Sequence, residues 1–285
     1  MSSIHKRFIS ETAVVIVLYK TPLENSQTFK TLSENLRKLD LIMDLIVYDN
    51  SPIVKDPEVK NSNWNVKFFN DITNAGVSKA YNVAAQYANA LGKKWVLLVD
   101  QDTTFPVNSL NKYIDAIEEY PAQKVFVPIL KASEKIISPC FYAFKRGFHL
   151  KQVDPGLHTF NRTLPVNSGA LINLELFKLT GGYNEKIKLD FSDFYFFEKV
   201  RKISTEYVVL DLICHHDIST QSNQSIDSAA QRHIYYCEGA KAFSQSLQDR
   251  IVMLLVSFFR SLKLSMKFRE ILFVKIWLKK VVNDY

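Results

Sequence analysis

Two carboxylates flank an amide in the stretch Trp95-Val96-Leu97-Leu98-Val99-Asp100-Gln101-Asp102-Thr103-Thr104-Phe105-Pro106. The apolar run before them reads as a buried strand. Side chains two apart on a strand point the same way, so Asp100 and Asp102 can act together if strand geometry persists past Val99. Paired oxygens at the carboxyl end of a central strand suit a hard divalent cation, Mg2+ or Mn2+, that also holds phosphate oxygens. A plain Asx turn would explain the same residues without any ligand. Other reactive side chains recur at element ends. Asp49 closes Leu45 to Tyr48, Asn74-Ala75-Gly76 follows Val66 to Phe69, and His215-His216-Asp217 follows Val208 to Ile213. Asp190 and Asp193 stand at the start of LDFSDFYFFEKVR, Leu189 to Arg201. A helix N-terminus there would depress the Asp193 pKa and hold the charged form that a base requires. Ser192 or Asp193 as a simple N-cap is the competing reading.

The elements that must position these residues alternate. Ala13 to Tyr19 is a Val- and Ile-rich strand, and Leu23, Phe29, Leu32, Leu36 and Leu39 then recur near helical spacing up to Asp40. Leu45 to Tyr48 and Val66 to Phe69 are short strands, Ser78 to Leu91 is a helix stopped by Gly92, and the Trp95 strand follows. Asn108 to Tyr120 is a helix stopped by Pro121, and Val125 to Pro128 is a fifth strand. Such alternation predicts a three-layer α/β sandwich around a mainly parallel sheet, with ligands beyond the carboxyl ends of the strands. Tyr19, Asp49, Asn74 to Gly76 and Asp100 to Asp102 all fall on that rim. From Ile129 to Arg162 the pattern loosens, which predicts a hairpin or loops over the sheet. Pro165 to Leu174 reads as a strand broken at Ser168-Gly169. No G-x-G-x-x-G or Walker loop follows the first strand, so the usual dinucleotide and P-loop readings lack support.

Charge is unevenly placed. Between Arg250 and Tyr285 there are eight Lys or Arg and two Asp or Glu, a balance of +6 in a chain whose total is +7. The body is therefore close to neutral, which argues against a nucleic-acid groove and for a basic surface at one end. In that tail, Ile251 to Val282, apolar and basic residues interleave; helices packed on the domain and a surface for anionic lipid are both open readings. Cys140, Cys214 and Cys237 show neither metal-site spacing nor a disulfide framework, which favours a reducing compartment. No secretory leader and no spanning helix are expected, since no run of about 18 apolar residues occurs.

The order of the motifs resembles family-two glycosyltransferases of the GT-A fold, and within them the rhamnosyltransferase-like branch. The pieces are VVIVLYKT (Val14 to Thr21), VYDNS (Val47 to Ser51), NAGVSKAYN (Asn74 to Asn82), LLVDQDTTF (Leu97 to Phe105), NSGALINLELFKLTGGYNE (Asn167 to Glu185), LDFSDFYF (Leu189 to Phe196) and HHDIS (His215 to Ser219). The resemblance implies an inverting, metal-dependent transfer of a sugar, rhamnose in this branch, from a nucleoside-diphosphate donor to a glycan or lipid-linked acceptor in cell-surface polysaccharide assembly. It assigns Tyr19 and Asp49 to the base and ribose, and Gly76 to close backbone approach to the nucleotide. Asn74, Lys79 and Gln101 join the nucleotide-sugar site, Asp100 and Asp102 form the sugar-nucleotide and metal motif, and His216 completes the metal site. Asp193 becomes the catalytic base, with Asp190 beside it. Lys199 stands where the family has an arginine six residues past the catalytic Asp, a departure that leaves the donor open.

The expected layout is a GT-A domain over residues 1–220, with a nucleotide-binding half to about 128 and an acceptor-side half over 129–220, then a basic amphipathic helical extension over 221–285. The expected location is cytoplasmic, with peripheral contact on an anionic inner membrane face. Two other classes stay open. A nucleotidyltransferase also uses acids at strand ends, but would carry a basic Gly-rich loop near its first strand. A non-catalytic carbohydrate-binding protein could keep the fold, although the intact acids argue against it. The sequence does not specify an oligomeric state.

Overall fold

The computed structural model describes residues 3–53, 63–217 and 225–282. Helix α1 (Ser3–Glu11) leads into β1 (Thr12–Leu18), which is buried over its whole length. Alternation then decides the layers. Ala13, Val15 and Val17 face one core and Val14, Ile16 and Leu18 face another, because successive strand residues point to opposite faces. A short 3-10 turn (Leu23–Asn25) precedes α2 (Gln27–Leu39), whose first turn is capped by the Ser26 side chain accepting from Phe29 N–H. Next come β2 (Met43–Asp49), β3 (Trp64–Asn70), α3 (Val77–Ala90), β4 (Trp95–Asp100), the short β5 (Thr103–Thr104) and α4 (Ser109–Glu119). Helices α2 and α4 cover one face of the sheet and α3 covers the other. Ala80, Ala84, Ala85 and Ala88 let α3 lie close to the strands.

The order β3-β2-β1-β4 is parallel, and its register sets Leu18 beside Asp49 and Val17 beside Asp100. The rim residues therefore come together at one carboxyl edge. This is the α/β sandwich expected from the alternation.

The second half contains the expected hairpin, Lys135–Ala143 with Arg146–Leu150, but is more regular than a hairpin or loops alone. Strands β6 (Val125–Ala132), β7 (Lys135–Ala143), β8 (Arg146–Leu150), β9 (Gly156–Thr159) and β10 (Thr163–Leu164) join the same sheet, mostly antiparallel. Pro139, Gly147 and Gly156 obscured these strands. Gly147 lies under a neighbour: a Cβ there would sit 2.6 Å from Cys140 Sγ. The expected strand Pro165 to Leu174 shrinks to β11 (Ala170–Asn173), antiparallel to both β4 and β6. Residues 165–169 instead form a turn that feeds the rim. Gly169 has φ +82° and no room for a Cβ against Pro128, so the chain bends there.

Two further helices, α5 (Leu174–Leu179) and α6 (Ser192–Val200), pack on the α3 side. Strand β12 (Glu206–His216) runs parallel to β6 and ends against β5, pairing His216 with Thr103. Beyond it lie α7 (Ile226–Phe243), α8 (Leu247–Phe268), α9 (Leu272–Trp277) and a π-helical turn (Leu278–Val282). The expected boundary at residue 220 and Ser219 of the HHDIS piece fall outside the described residues. No described helix is long and apolar enough to cross a membrane.

Candidate active site

Strand β4 delivers Asp100 to the rim, and the Gln101-Asp102 turn returns the chain into β5. Asp100, Asp102 and His216 each bring a ligand atom within 4.8 Å of the others. His216 Nδ1 lies 3.3 Å from Asp102 Oδ1, yet that oxygen is buried without a hydrogen-bond partner. Burial pushes both carboxyls above the ordinary carboxylate range, and the His216 charge draws them back only in part. Two crowded carboxylates, one with an unsatisfied oxygen, and an imidazole form a donor set that fits a small divalent cation. The neighbouring side chains hold this group in place. Tyr81 donates its hydroxyl to Asp100 Oδ1 at 3.1 Å, and Asp100 N–H donates to Ser168 Oγ at 3.2 Å. Thr103 Oγ1 bonds Ser168 Oγ at 2.8 Å and His216 Nδ1 at 3.1 Å. His215 alternates to the opposite, exposed side of β12, as adjacent strand residues must.

Asp193 sits in the first turn of α6 but does not cap it. The N-cap is Phe191, with φ +74° and no side-chain cap bond. The Asp193 carboxylate instead accepts from Asn167 Nδ2 and Ser192 Oγ, both at 2.8 Å and both on Oδ1. Asn167 is itself fixed, since Tyr183 donates its hydroxyl to Asn167 Oδ1 at 2.6 Å. The helix-terminus argument for a depressed pKa is overturned. Burial, followed by the nearby charge of Asp100, lifts Asp193 to about 6. Desolvation outweighs the hydrogen bonds to the carboxylate, which act in the opposite direction. Asp190 does not point the same way. Its Oδ1 lies 3.3 Å from Arg232 of α7, and its Oδ2 is buried without a partner.

On the nucleotide side, Tyr19 exposes its ring while its backbone is clamped by the middle residue of the acidic turn. Gln101 Oε1 accepts from Tyr19 N–H at 2.8 Å, and Gln101 Nε2 faces Tyr19 O at 3.4 Å. Gln101 thus ties the end of β1 to the acidic turn. Asp49 is buried and closes an Asx turn by accepting from Ser51 N–H at 2.8 Å. Asn74 holds φ +51° in the turn before α3. Gly76 has φ +94°, and a Cβ there would meet Lys188 O at 2.2 Å. What presses on Gly76 is therefore the Lys188 backbone, not the open side where a nucleotide would approach. Lys79 pairs with Asp71 at 3.1 Å. Lys199 Nζ is drawn to the Gly182 carbonyl, and burial lowers its pKa.

Residues 14–139 match the family model described as Glycosyl transferase family 2. That stretch is similar to glycosyl transferase family 2. A dTDP-rhamnosyl transferase RfbF of Shigella flexneri is 26% identical over 124 residues, which take in 42% of this chain and 41% of the relative. The match thus spans about two fifths of that relative's length. Among solved structures, S. aureus TarS 1-349 superposes with a TM-score of 0.55 at 14% identity, covering 94% of this chain and 90% of that one. TarS 1-349 in complex with UDP-GlcNAc gives 0.55 at 18% identity, covering 95% and 79%. These structures show that the GT-A fold extends well past residue 139.

Around this site the sequence reading missed four side chains that hold the rim together. Tyr81, Tyr183 and Thr103 are fully or almost fully buried, and their apolar neighbours class them as core. Asn167 carried a usable signal: an amide beside a Ser-Gly break suggests a working turn. Nothing in the spacing shows that it reaches Asp193 across 26 residues.

Proposed function

We propose that the chain is an inverting, divalent-metal-dependent glycosyltransferase that moves a sugar from a nucleoside diphosphate to a glycan or lipid-linked acceptor in cell-surface polysaccharide assembly. The observation that carries this reading is the placement of the Asp100–Asp102–His216 donor set on the same rim as Asp193, a carboxylate poised near neutrality. The printed name of the Shigella relative supports deoxythymidine-diphosphate rhamnose as donor, and UDP-GlcNAc, bound in the TarS complex, is the competitor.

Asp102 and His216 would hold Mg2+ or Mn2+, with Asp100 in support. Bound there, the cation supplies positive charge against the leaving diphosphate. Tyr19, Asp49, Asn74 and Gly76 line the edge where base and ribose would lie, and Lys79 adds charge beside them. Asp193 takes the proton from the acceptor hydroxyl. Both of its side-chain donors fall on Oδ1, so Oδ2 is the oxygen turned to the substrate. The acceptor oxygen attacks the anomeric carbon as the bond to the diphosphate breaks, and a single displacement inverts that carbon. Residues 1–220 carry this chemistry, and the helices beyond hold the acceptor side and touch an anionic membrane from the cytoplasmic face.

Donor hydrolysis and transfer, with and without chelator, test the reading, and the anomeric configuration of the product tests its mechanism. Full turnover in excess chelator would remove the metal role. Retained configuration would sink the single displacement.

A further inference from the structure

Helix α8 is amphipathic in an unusual sense: its packed side is narrow and its outer side is apolar. Met253, Ser257 and Ser261 are buried. Ile251, Leu255, Phe259 and Met266 recur along the outer side, and Phe259 and Met266 are 62% and 74% exposed. Residues spaced three and four apart share one helical face, so these side chains form a continuous stripe several turns long. Lys263 and Lys267 extend the row one and two turns after Phe259. Arg269, Lys275 and Lys279 follow. Among the described residues no carboxylate pairs with any of these five cations. Glu270 is the only acidic residue between Arg250 and Val282.

We propose that this face of α8 lies in the plane of an anionic bilayer, with the apolar stripe among the acyl chains and the lysines at the headgroups. The inference rests on the membrane contact included above, and it assigns that contact to one helix. The charge decides the occupant. A second copy packed on the same face would set unpaired cations against cations, which costs association. Anionic headgroups neutralise them while the acyl layer covers the apolar stripe.

The other side of α8 links the membrane to the chemistry. Met253 shares a core with Ile187 and Phe191, and Phe191 is the N-cap of the helix that carries Asp193. Arg232 of α7 meets Asp190 in the same segment. A bilayer holding α8 therefore holds the acceptor side of the site at its surface. The acceptor this suits is lipid-linked, its hydroxyl presented by a chain anchored in the same bilayer.

Co-sedimentation of the full chain with phosphatidylcholine vesicles, with and without phosphatidylglycerol, tests the proposal. Binding is expected to need phosphatidylglycerol and to weaken as salt rises. The double variant Leu255→Glu/Phe259→Glu should lower partitioning at least ~10-fold at every salt concentration, with an unchanged melting temperature because both residues are exposed. Lys263→Gln/Lys267→Gln should lower it several-fold at low salt and little at high salt. Donor hydrolysis without acceptor should match the wild type in all these variants, so a failure here is distinct from failure of the transferase reading. Absence of sedimentation, or a Glu variant that sediments like the wild type, would overturn the proposal. So would a dimer by light scattering that the Glu variant dissociates while vesicles bind neither form.

Discussion

Asp71 and Asp193 occupy two corners of one rim and have been driven in opposite directions. Asp71 accepts from Thr73 N–H and Oγ1, from Tyr48 OH and from Lys79 Nζ, and these donors, Thr73 first, hold it at about 2. For Asp193 desolvation is the largest influence, only one of its oxygens has side-chain donors and it feels the charge of Asp100, so it rises to about 6. Asp71 directly follows β3 and Asp193 lies in the first turn of α6, both at the ends of elements. A carboxylate saturated with donors is pinned in its charged form and does structural work. A carboxylate short of donors in a dry corner changes protonation near neutral pH, which proton transfer needs.

The largest effects should come from Asp193 and from the neighbouring Asp100–Asp102–His216 donor set. Asp102→Asn should abolish transfer with the fold intact, because a neutral amide is a poor ligand in an oxygen site. Mn2+ should raise the melting temperature of the wild type and not that of the variant, which separates loss of metal from loss of chemistry. Asp193→Asn should lower kcat by at least ~100-fold with donor affinity nearly unchanged, the loss expected when a general base is removed. Near-normal kcat in that variant would remove Asp193 as the base.

The next effect is smaller and reads the environment directly. If Asp193 must be ionised, kcat/KM should fall as pH drops through about 6. Asn167→Leu removes one donor to the charged form and should move that limb to higher pH, with kcat down by roughly tenfold. Tyr183→Phe leaves the amide in place but unlocked, and should shift the limb less. A limb that stays fixed in both variants would mean that Asn167 only packs the turn.

How much of this could be read in the sequence follows from which signals are local. The β1 and β4 runs and the Asp100–Asp102 turn were legible, because strand periodicity and strand ends are local facts, whereas the pairing that sets His216 beside that turn was not, and His216 was assigned only through the family resemblance. Strands β7 to β9 were not, since Pro139 and the glycines broke the alternation that marks a strand. The sign of the Asp193 shift was not legible either. A helix end is visible in sequence, but the desolvation that overrides it comes from β7, the 165–169 turn and α6 closing over one another. Gly76 shows the same limit: its type was readable, and the backbone it makes room for lies 112 residues away at Lys188.

The smallest effect expected is at Asp71, and its size and direction both test the contrast. Asp71→Asn keeps the shape, retains part of the acceptor capacity and removes only the charge. Lys79, its ionic partner, is 41% exposed, so water screens that pair and its loss weighs little. The bond from Tyr48 is partly buried, while the two from Thr73 are exposed and local to the turn. Together they amount to about 1 kcal/mol, or a melting temperature lower by about 2–4 °C for a chain of this size. The sign with pH follows from the depressed pKa. The stabilisation is fully present above the ordinary carboxylate range and is lost as pH falls toward about 2. Melting curves of wild type and variant should therefore lie furthest apart at neutral pH and converge in acid. Transfer should change by no more than a few fold, in KM before kcat, because Asp71 stands beside the nucleotide edge and away from the proton. A loss in kcat comparable to that of Asp193→Asn would mean that the two corners are not divided between structure and chemistry as their donors suggest.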